Sequence, residues 1–181
     1  MQSRGFRPVA ARDARVLVLG SLPGQESLRQ QQYYAQPRNA FWTIMGELFG
    51  AAPTLPYAAR VAKLRSARVA VWDVCASAYR AGSLDASIRA GSVVANDFAA
   101  FFRRLPELEL VCFNGRAAED LYLRRVLPGL AGAARQLPLA RLPSTSPAHA
   151  SLTVAAKLRA WRLLEHTLAQ SPPIRKRPGQ R

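Results

Sequence analysis

Four short apolar runs constrain the fold of this chain more than any other feature. They lie at residues 16–19 (VLVL), 69–74 (VAVWDV), 108–113 (LELVCF) and within 136–142. Each is too short for a buried helix, and each reads as a buried strand. Between them the apolar residues recur at helical spacing. Residues 39–49 place Phe41, Trp42, Met45, Leu48 and Phe49 on one face, with Gly50 as the C-cap. Residues 57–64 and 117–125 read as further helices. Asn96 or Asp97 is placed to cap a helix running through Phe101 to Arg104 and stopped near Pro106. Residues 152–168 form the last helix, whereas 75–91 read as a loop. Short strands alternating with helices predict an α/β fold with a parallel sheet.

In such sheets ligands bind beyond the carboxyl ends of the strands. That rule gathers three segments onto one edge: 20–24 (GSLPG), Asn114-Gly115, and 143–149 (PSTSPAH). The first has no Lys near it and so is no Walker loop. Nor is it Gly-x-Gly-x-x-Gly, and Ser21 follows Gly20 directly, unlike the serine of a Gly-x-Ser-x-Gly elbow. His149 is available for a triad, but nothing around Ser21 marks an activated hydroxyl. With two histidines and few clustered carboxylates, no metal site is expected. Cys75 and Cys112 each sit in apolar surroundings and read as buried free thiols. Two cysteines also do not supply an iron–sulfur cluster, so no cofactor is expected.

Charge narrows the partner. The chain carries 26 basic against 11 acidic residues, a net charge of +15, and all but Lys63, Lys157 and Lys176 of the basic residues are arginine. A small domain this basic is drawn to polyanions with salt-sensitive affinity, and nucleic acid is the first candidate. No apolar run of membrane-spanning length occurs, and the first fifteen residues lack a signal-peptide apolar stretch. The expectation is one cytoplasmic, monomeric domain over 1–170, followed by a disordered basic tail at 171–181 (SPPIRKRPGQR).

Loops rich in small residues, Ser/Thr, Asn and aromatics, in a basic protein, suit an enzyme that works on one extruded base. Ser144, Thr145, Ser146 and Pro147 can hold DNA phosphates through hydroxyls and backbone. An aromatic can stack on a base, and an Asn can donate to or accept from a base edge or a water.

The combination of GSLPG, YYAQPRNAFW, a later FNG and LPSTSPAHA resembles the uracil-DNA glycosylase superfamily. It is most similar to the hypoxanthine-DNA glycosylase branch, often called family 6, and its mismatch-specific relatives. Those relatives carry Gly-Ile-Asn-Pro-Gly, then Phe-Ala-His-Pro-x-Asn-x-Phe-Trp, which residues 34–42 match closely. The resemblance spans residues 16 to 168. It implies a three-layer fold, a four-stranded parallel sheet flanked by helices, and hydrolysis of the N-glycosidic bond of a deaminated base, hypoxanthine or uracil, in single- or double-stranded DNA. The transition state is oxocarbenium-like, so the protein must flip the nucleotide, hold the base and place a water.

Residue by residue, the resemblance implies Asn39 as the catalytic amide; its sequence position also suits a helix N-cap. Tyr34 matches the aromatic that stacks on the base. Gly20, Ser21, Leu22 and Gly24 would form a pocket floor whose small residues admit the nucleotide. Phe41 joins the substrate-binding set, although it and Trp42 also fit the core. Asn114 matches a base-reading Asn or is a plain turn residue. Ser144 to Pro147 match the DNA-pinching motif, and His149 would lie in the gap left by the flipped base or near a phosphate. The first motif lacks the relatives' water-placing Asn, and Ser144 stands where some branches have His. Asp73 and Asp85 are candidates for a supporting charge, and both also fit loop and cap roles. Two other readings stay open: a non-catalytic nucleic-acid-binding module on the same fold, and a nucleotide hydrolase using the same loops.

Overall fold

The computed structural model describes residues Gln2–Gln170; the tail expected at 171–181 lies outside the described residues. The chain runs β1 (Gln2–Arg4), β2 (Val16–Gly20), α1 (Gln25–Gln30), α2 (Phe41–Phe49), α3 (Tyr57–Ser66), β3 (Val69–Asp73) and β4 (Cys75–Tyr79). It continues through β5 (Val94–Ala95), α4 (Phe98–Arg103), β6 (Leu110–Asn114), α5 (Arg116–Arg125), α6 (Gly132–Arg135), β7 (Leu139–Leu142), α7 (Val154–Trp161) and α8 (Leu163–Ala169). The four expected strands make one parallel sheet in the order β3-β2-β6-β7. Every residue of β2 and β3 is buried, which is why these strands read as unbroken apolar runs and not as alternating ones.

Register decides what each face carries. Leu19 pairs with Trp72 and with Phe113, and this row points to α4 and α5. There Trp72 meets Phe98 and Phe101, Phe98 meets Tyr122, and Tyr122 meets Phe113. The next row alternates to the opposite face. It is the last row of the sheet, with Gly20 paired to Asp73 and Asn114 to Leu142. On that side Phe41 of α2 packs edge-on against Trp161 of α7. Both faces are therefore covered, as a parallel sheet requires.

Several boundaries match the pattern in the sequence. Gly50 closes α2 with a left-handed φ of +69°, and Asp97 caps α4 by accepting from the Ala100 N–H. Cys75 and Cys112 are buried and free. Other elements depart from it. The first five residues of the expected 75–91 loop form β4, which pairs antiparallel with β1 and β5 in a second small sheet. Its sequence, CASAY, is too small and polar to announce a strand; pairing with Gln2–Arg4, far off in sequence, makes it one. Helix α1 follows the Gly-Ser-Leu-Pro-Gly segment without an apolar stripe to predict it. The last helix is divided at Arg162, where ψ opens to −12°. Among the described residues no helix is long and apolar enough to cross a membrane.

Candidate active site

Gly20 is the hole in the last row of the sheet. Its side-chain position is empty beside its register partner Asp73, and a cavity of about 490 Å³, lined by both residues and by Asn114, opens above it. The space is not spare. A Cβ on Gly20 would lie 2.6 Å from Asp73 Oδ1 and 3.1 Å from the Tyr34 hydroxyl. The glycine thus makes room for protein atoms, where the sequence suggested room for the nucleotide.

The first wall is the 21–24 segment, held from behind. Arg80 is buried and donates from Nη1 to the Leu22 carbonyl at 3.2 Å and from Nη2 to the Pro23 carbonyl. The Ser21 hydroxyl donates to Asp85 Oδ1 at 2.5 Å, and Asp85 lies 3.8 Å from Arg80. Leu22 packs against Cys75 and Ala78. Ser21 is therefore a tether between two loops and not a nucleophile. Gly24 opens α1, and a Cβ there would meet Ser83 at ordinary contact distance.

The second wall is the segment entering α2. Tyr34 adopts a left-handed φ of +53°, unusual for a residue with a side chain, which turns its ring onto Phe41 at 4.0 Å between centroids and 24° between planes. Phe41 covers one face of the Tyr34 ring, and Tyr34 lines the cavity. Asn39 Oδ1 accepts from the Phe41 N–H at 3.0 Å, the bond of an N-terminal cap, although α2 itself starts at Phe41. Its Nδ2 has no hydrogen-bond partner among the described residues, and Asn39 lines the cavity. Capping and availability coexist in one side chain.

The third wall joins β6 to the 143–149 loop. Asn114 Nδ2 donates to Thr145 Oγ1 and Asn114 Oδ1 accepts from the Thr145 N–H, both at 2.8 Å. The Thr145 carbonyl in turn accepts from the Ala40 N–H at 3.0 Å. One chain of hydrogen bonds therefore fixes the loop, the strand end and the entrance to α2. From behind, Trp161 Nε1 donates to the Pro143 carbonyl and Lys157 Nζ to the His149 carbonyl. Gly115, at φ +93°, lets Ser144 approach to within 2.8 Å of where a Cβ would stand. Ser144 and Ser146 oxygens accept from the backbone of Ser146 and Ala148. Each hydroxyl hydrogen stays available for a donor bond outward.

Electrostatically the floor is unusual. Asp73 is 3% exposed, and burial pushes its carboxyl up to about 8, with the nearby Asp85 charge adding and Arg80 opposing. Burial likewise raises the Tyr34 hydroxyl, Asp73 adding to it. The Asn114 side chain lies close to that hydroxyl and opposes the rise, although no hydrogen bond of good geometry joins the two.

Of the residues singled out in the sequence, Gly20, Ser21, Leu22, Gly24, Tyr34, Asn39, Asn114, Ser144, Thr145, Ser146 and Pro147 all line this cavity. Two take other places than expected. Phe41 is fully buried beneath Tyr34 and reaches no ligand directly, because its helical face belongs to the core. Thr145 is fully buried and its side chain is spent on Asn114. His149 is held by its backbone outside the cavity lining; the places expected for it, the DNA gap or a phosphate, also lie outside the cavity. Sequence reasoning missed Arg80, Arg38 and Gln36. A buried arginine in a polar loop leaves no mark in a hydropathy pattern, whereas Arg38 and Gln36 lie within the matched YYAQPRNAFW segment and could have been weighed there.

The sequence profile of the uracil DNA glycosylase superfamily matches residues 7–165. A hypoxanthine DNA glycosylase from Methanosarcina acetivorans is 38% identical over 145 residues, covering 75% of this chain and 90% of that protein. One from Methanosarcina barkeri is 35% identical over 121 residues, covering 66% of this chain and 75% of the relative. The solution NMR structure of a Methanosarcina acetivorans protein, described as a candidate uracil DNA glycosylase, superposes with a TM-score of 0.73 at 34% identity, over 92% of this chain and all of that one. With the strand order, the cavity at the strand ends and these matches in agreement, the chain belongs to the uracil DNA glycosylase superfamily.

Proposed function

We propose that the chain is a monofunctional DNA glycosylase that removes a deaminated base, hypoxanthine first and uracil second, by hydrolysing its bond to deoxyribose. One observation carries the reading: Asn39 stands on the wall of the strand-end cavity with Oδ1 already fixed by a backbone N–H and Nδ2 unspent. The curated relatives named as hypoxanthine DNA glycosylases support the base, and they speak against a non-catalytic module.

The nucleotide turns out of the helix and its base enters the cavity against the face of Tyr34 that Phe41 leaves uncovered. Ser144 and Ser146 donate hydroxyl hydrogens to the flanking phosphates, and exposed Arg38 at the cavity mouth adds a positive charge. Asn39 Oδ1 keeps a second lone pair. It accepts a hydrogen from a water, which aims the water's own lone pair at the sugar carbon C1′. The C1′–N bond breaks with its electron pair going to the base. The water oxygen bonds to C1′, one water hydrogen stays on the new sugar hydroxyl, and the other passes through solvent to the base. No covalent enzyme intermediate forms, and one chain suffices for the chemistry.

The test is a panel of oligonucleotides carrying hypoxanthine, uracil, xanthine or 5-substituted uracil, scored for abasic sites. Hypoxanthine is expected to be released fastest. Asn39→Ala is expected to lower the single-turnover rate on it by about 100-fold or more, the scale for losing one positioned polar group. Salt-dependent binding without release of any base would support a binding module instead.

A further inference from the structure

Two buried polar atoms in the cavity wall have no hydrogen-bond partner, Asp73 Oδ2 and Tyr34 Oη. The other carboxyl oxygen, Asp73 Oδ1, and the Tyr34 hydroxyl flank the same absent side chain, that of Gly20. Buried polar groups are almost always paired, so two orphans on one wall point to a ligand that completes them. Both oxygens of an ionised Asp73 would only accept, and would repel a keto oxygen or an unprotonated ring nitrogen of a base. With its proton the group gains one O–H donor. Deamination replaces an amino donor on a base by a keto acceptor, so a donor in this wall is complementary to what deamination creates.

We propose that Asp73, in its neutral form, donates a hydrogen bond to a keto oxygen or unprotonated ring nitrogen of the flipped base, with the Tyr34 hydroxyl beside it. The inference rests on the glycosylase reading above and assigns to it the residue that holds the leaving base. Ionisation of the same carboxyl then expels the base edge it holds, so excision fails in alkali.

The groups facing Asp73 fix where this happens. Asp85 and Arg80 approach from the segment beyond β4, Cys75 from the start of β4, Tyr33 and Tyr34 from the segment before α2, and Tyr57 from α3. Burial dominates and brings Asp73 to about 8. It sends Cys75 to about 12 and both Tyr33 and Tyr34 well above their ordinary range. Burial also raises Asp85 and Tyr57 and lowers Arg80.

The experiment is single-turnover release of hypoxanthine from a deoxyinosine duplex at saturating enzyme, across neutral and alkaline pH. The wild-type rate is expected to fall about tenfold per pH unit above a midpoint near 8. Asp73→Asn keeps an N–H donor that does not titrate, and is expected to lose the alkaline fall and to stay within about tenfold of wild type below it. Asp73→Ser is the second variant with a donor and is expected to be equally flat. Asp73→Ala has no donor and is expected to lose about 100-fold at every pH. An alkaline limb unchanged in Asp73→Asn or Asp73→Ser, or a wild-type rate in Asp73→Ala, overturns the assignment while leaving the glycosylase reading intact. A wild-type protein that releases no hypoxanthine at any pH overturns that reading itself.

Discussion

Gly20 shows how much of this site is decided by single atoms. Its missing Cβ seats Asp73 and the Tyr34 hydroxyl side by side, and the cavity floor is built from those two groups. Asp73 should also report on folding. An Asp in an unfolded chain titrates near about 3.9, whereas here burial holds it at about 8. Between those values the folded chain keeps a proton that the unfolded chain has lost. Stability therefore falls as pH rises through that window, by up to about 1.4 kcal/mol per pH unit, and the loss is complete above about 8. Asp73→Asn removes the titration, so melting temperatures of variant and wild type should diverge in the variant's favour as pH climbs; parallel curves would contradict the burial of this carboxyl. Some of this was legible in the sequence. Asp73 ends an apolar run and could be marked as a charge near the site, but only the register of β2 and β3 shows that it faces the cavity. Phe41 was legible twice over: helical spacing placed it in the core, the family resemblance placed it at the substrate, and its complete burial favours the spacing.

At the level of elements, the site is a junction of three chain segments locked by one amide. Asn114 ties the end of β6 to the 143–149 loop through Thr145, and Thr145 ties that loop to the start of α2 through Ala40. Asn114→Ala leaves the fully buried Thr145 N–H and hydroxyl without partners, at a cost of about 1–3 kcal/mol. It also loosens the loop that carries Ser144 and Ser146. Thermal unfolding should register the first effect, and weaker binding of a deoxyinosine duplex the second; a variant as stable as wild type would mean that the clamp is not formed. The central strands were readable as short unbroken apolar runs, and α2 because its burial is written in period 3.6 along the chain. Strand β4 was not, because it exists through a partner some seventy residues earlier, at Gln2–Arg4. Nor was the Arg80 brace under residues 22 and 23, since its hydrogen bonds go to backbone carbonyls that any sequence would offer.

For the whole molecule, charge sets how the substrate is met. Arg38 is exposed at the cavity mouth with no acidic partner among the described residues, on a chain of net charge +15. DNA affinity should therefore fall steeply with salt, and Arg38→Ala should flatten the slope of log K against log salt by about one, without changing which base is preferred. An unchanged slope would move the phosphate contact elsewhere. The α/β class and the parallel direction of the four strands followed from their spacing, whereas the order β3-β2-β6-β7 had to come from three-dimensional pairing. Composition pointed to a polyanion, the loop residues and the family resemblance narrowed that to one flipped base, and the structure adds a cavity at the strand ends. The most direct measurement is release of free hypoxanthine from a deoxyinosine duplex by the purified protein, beside an otherwise identical adenine duplex. The expected result is an abasic site in the first and an intact strand in the second, with release strongly reduced in Asn39→Ala. No base release from deoxyinosine or deoxyuridine, or full release by Asn39→Ala, would contradict this account.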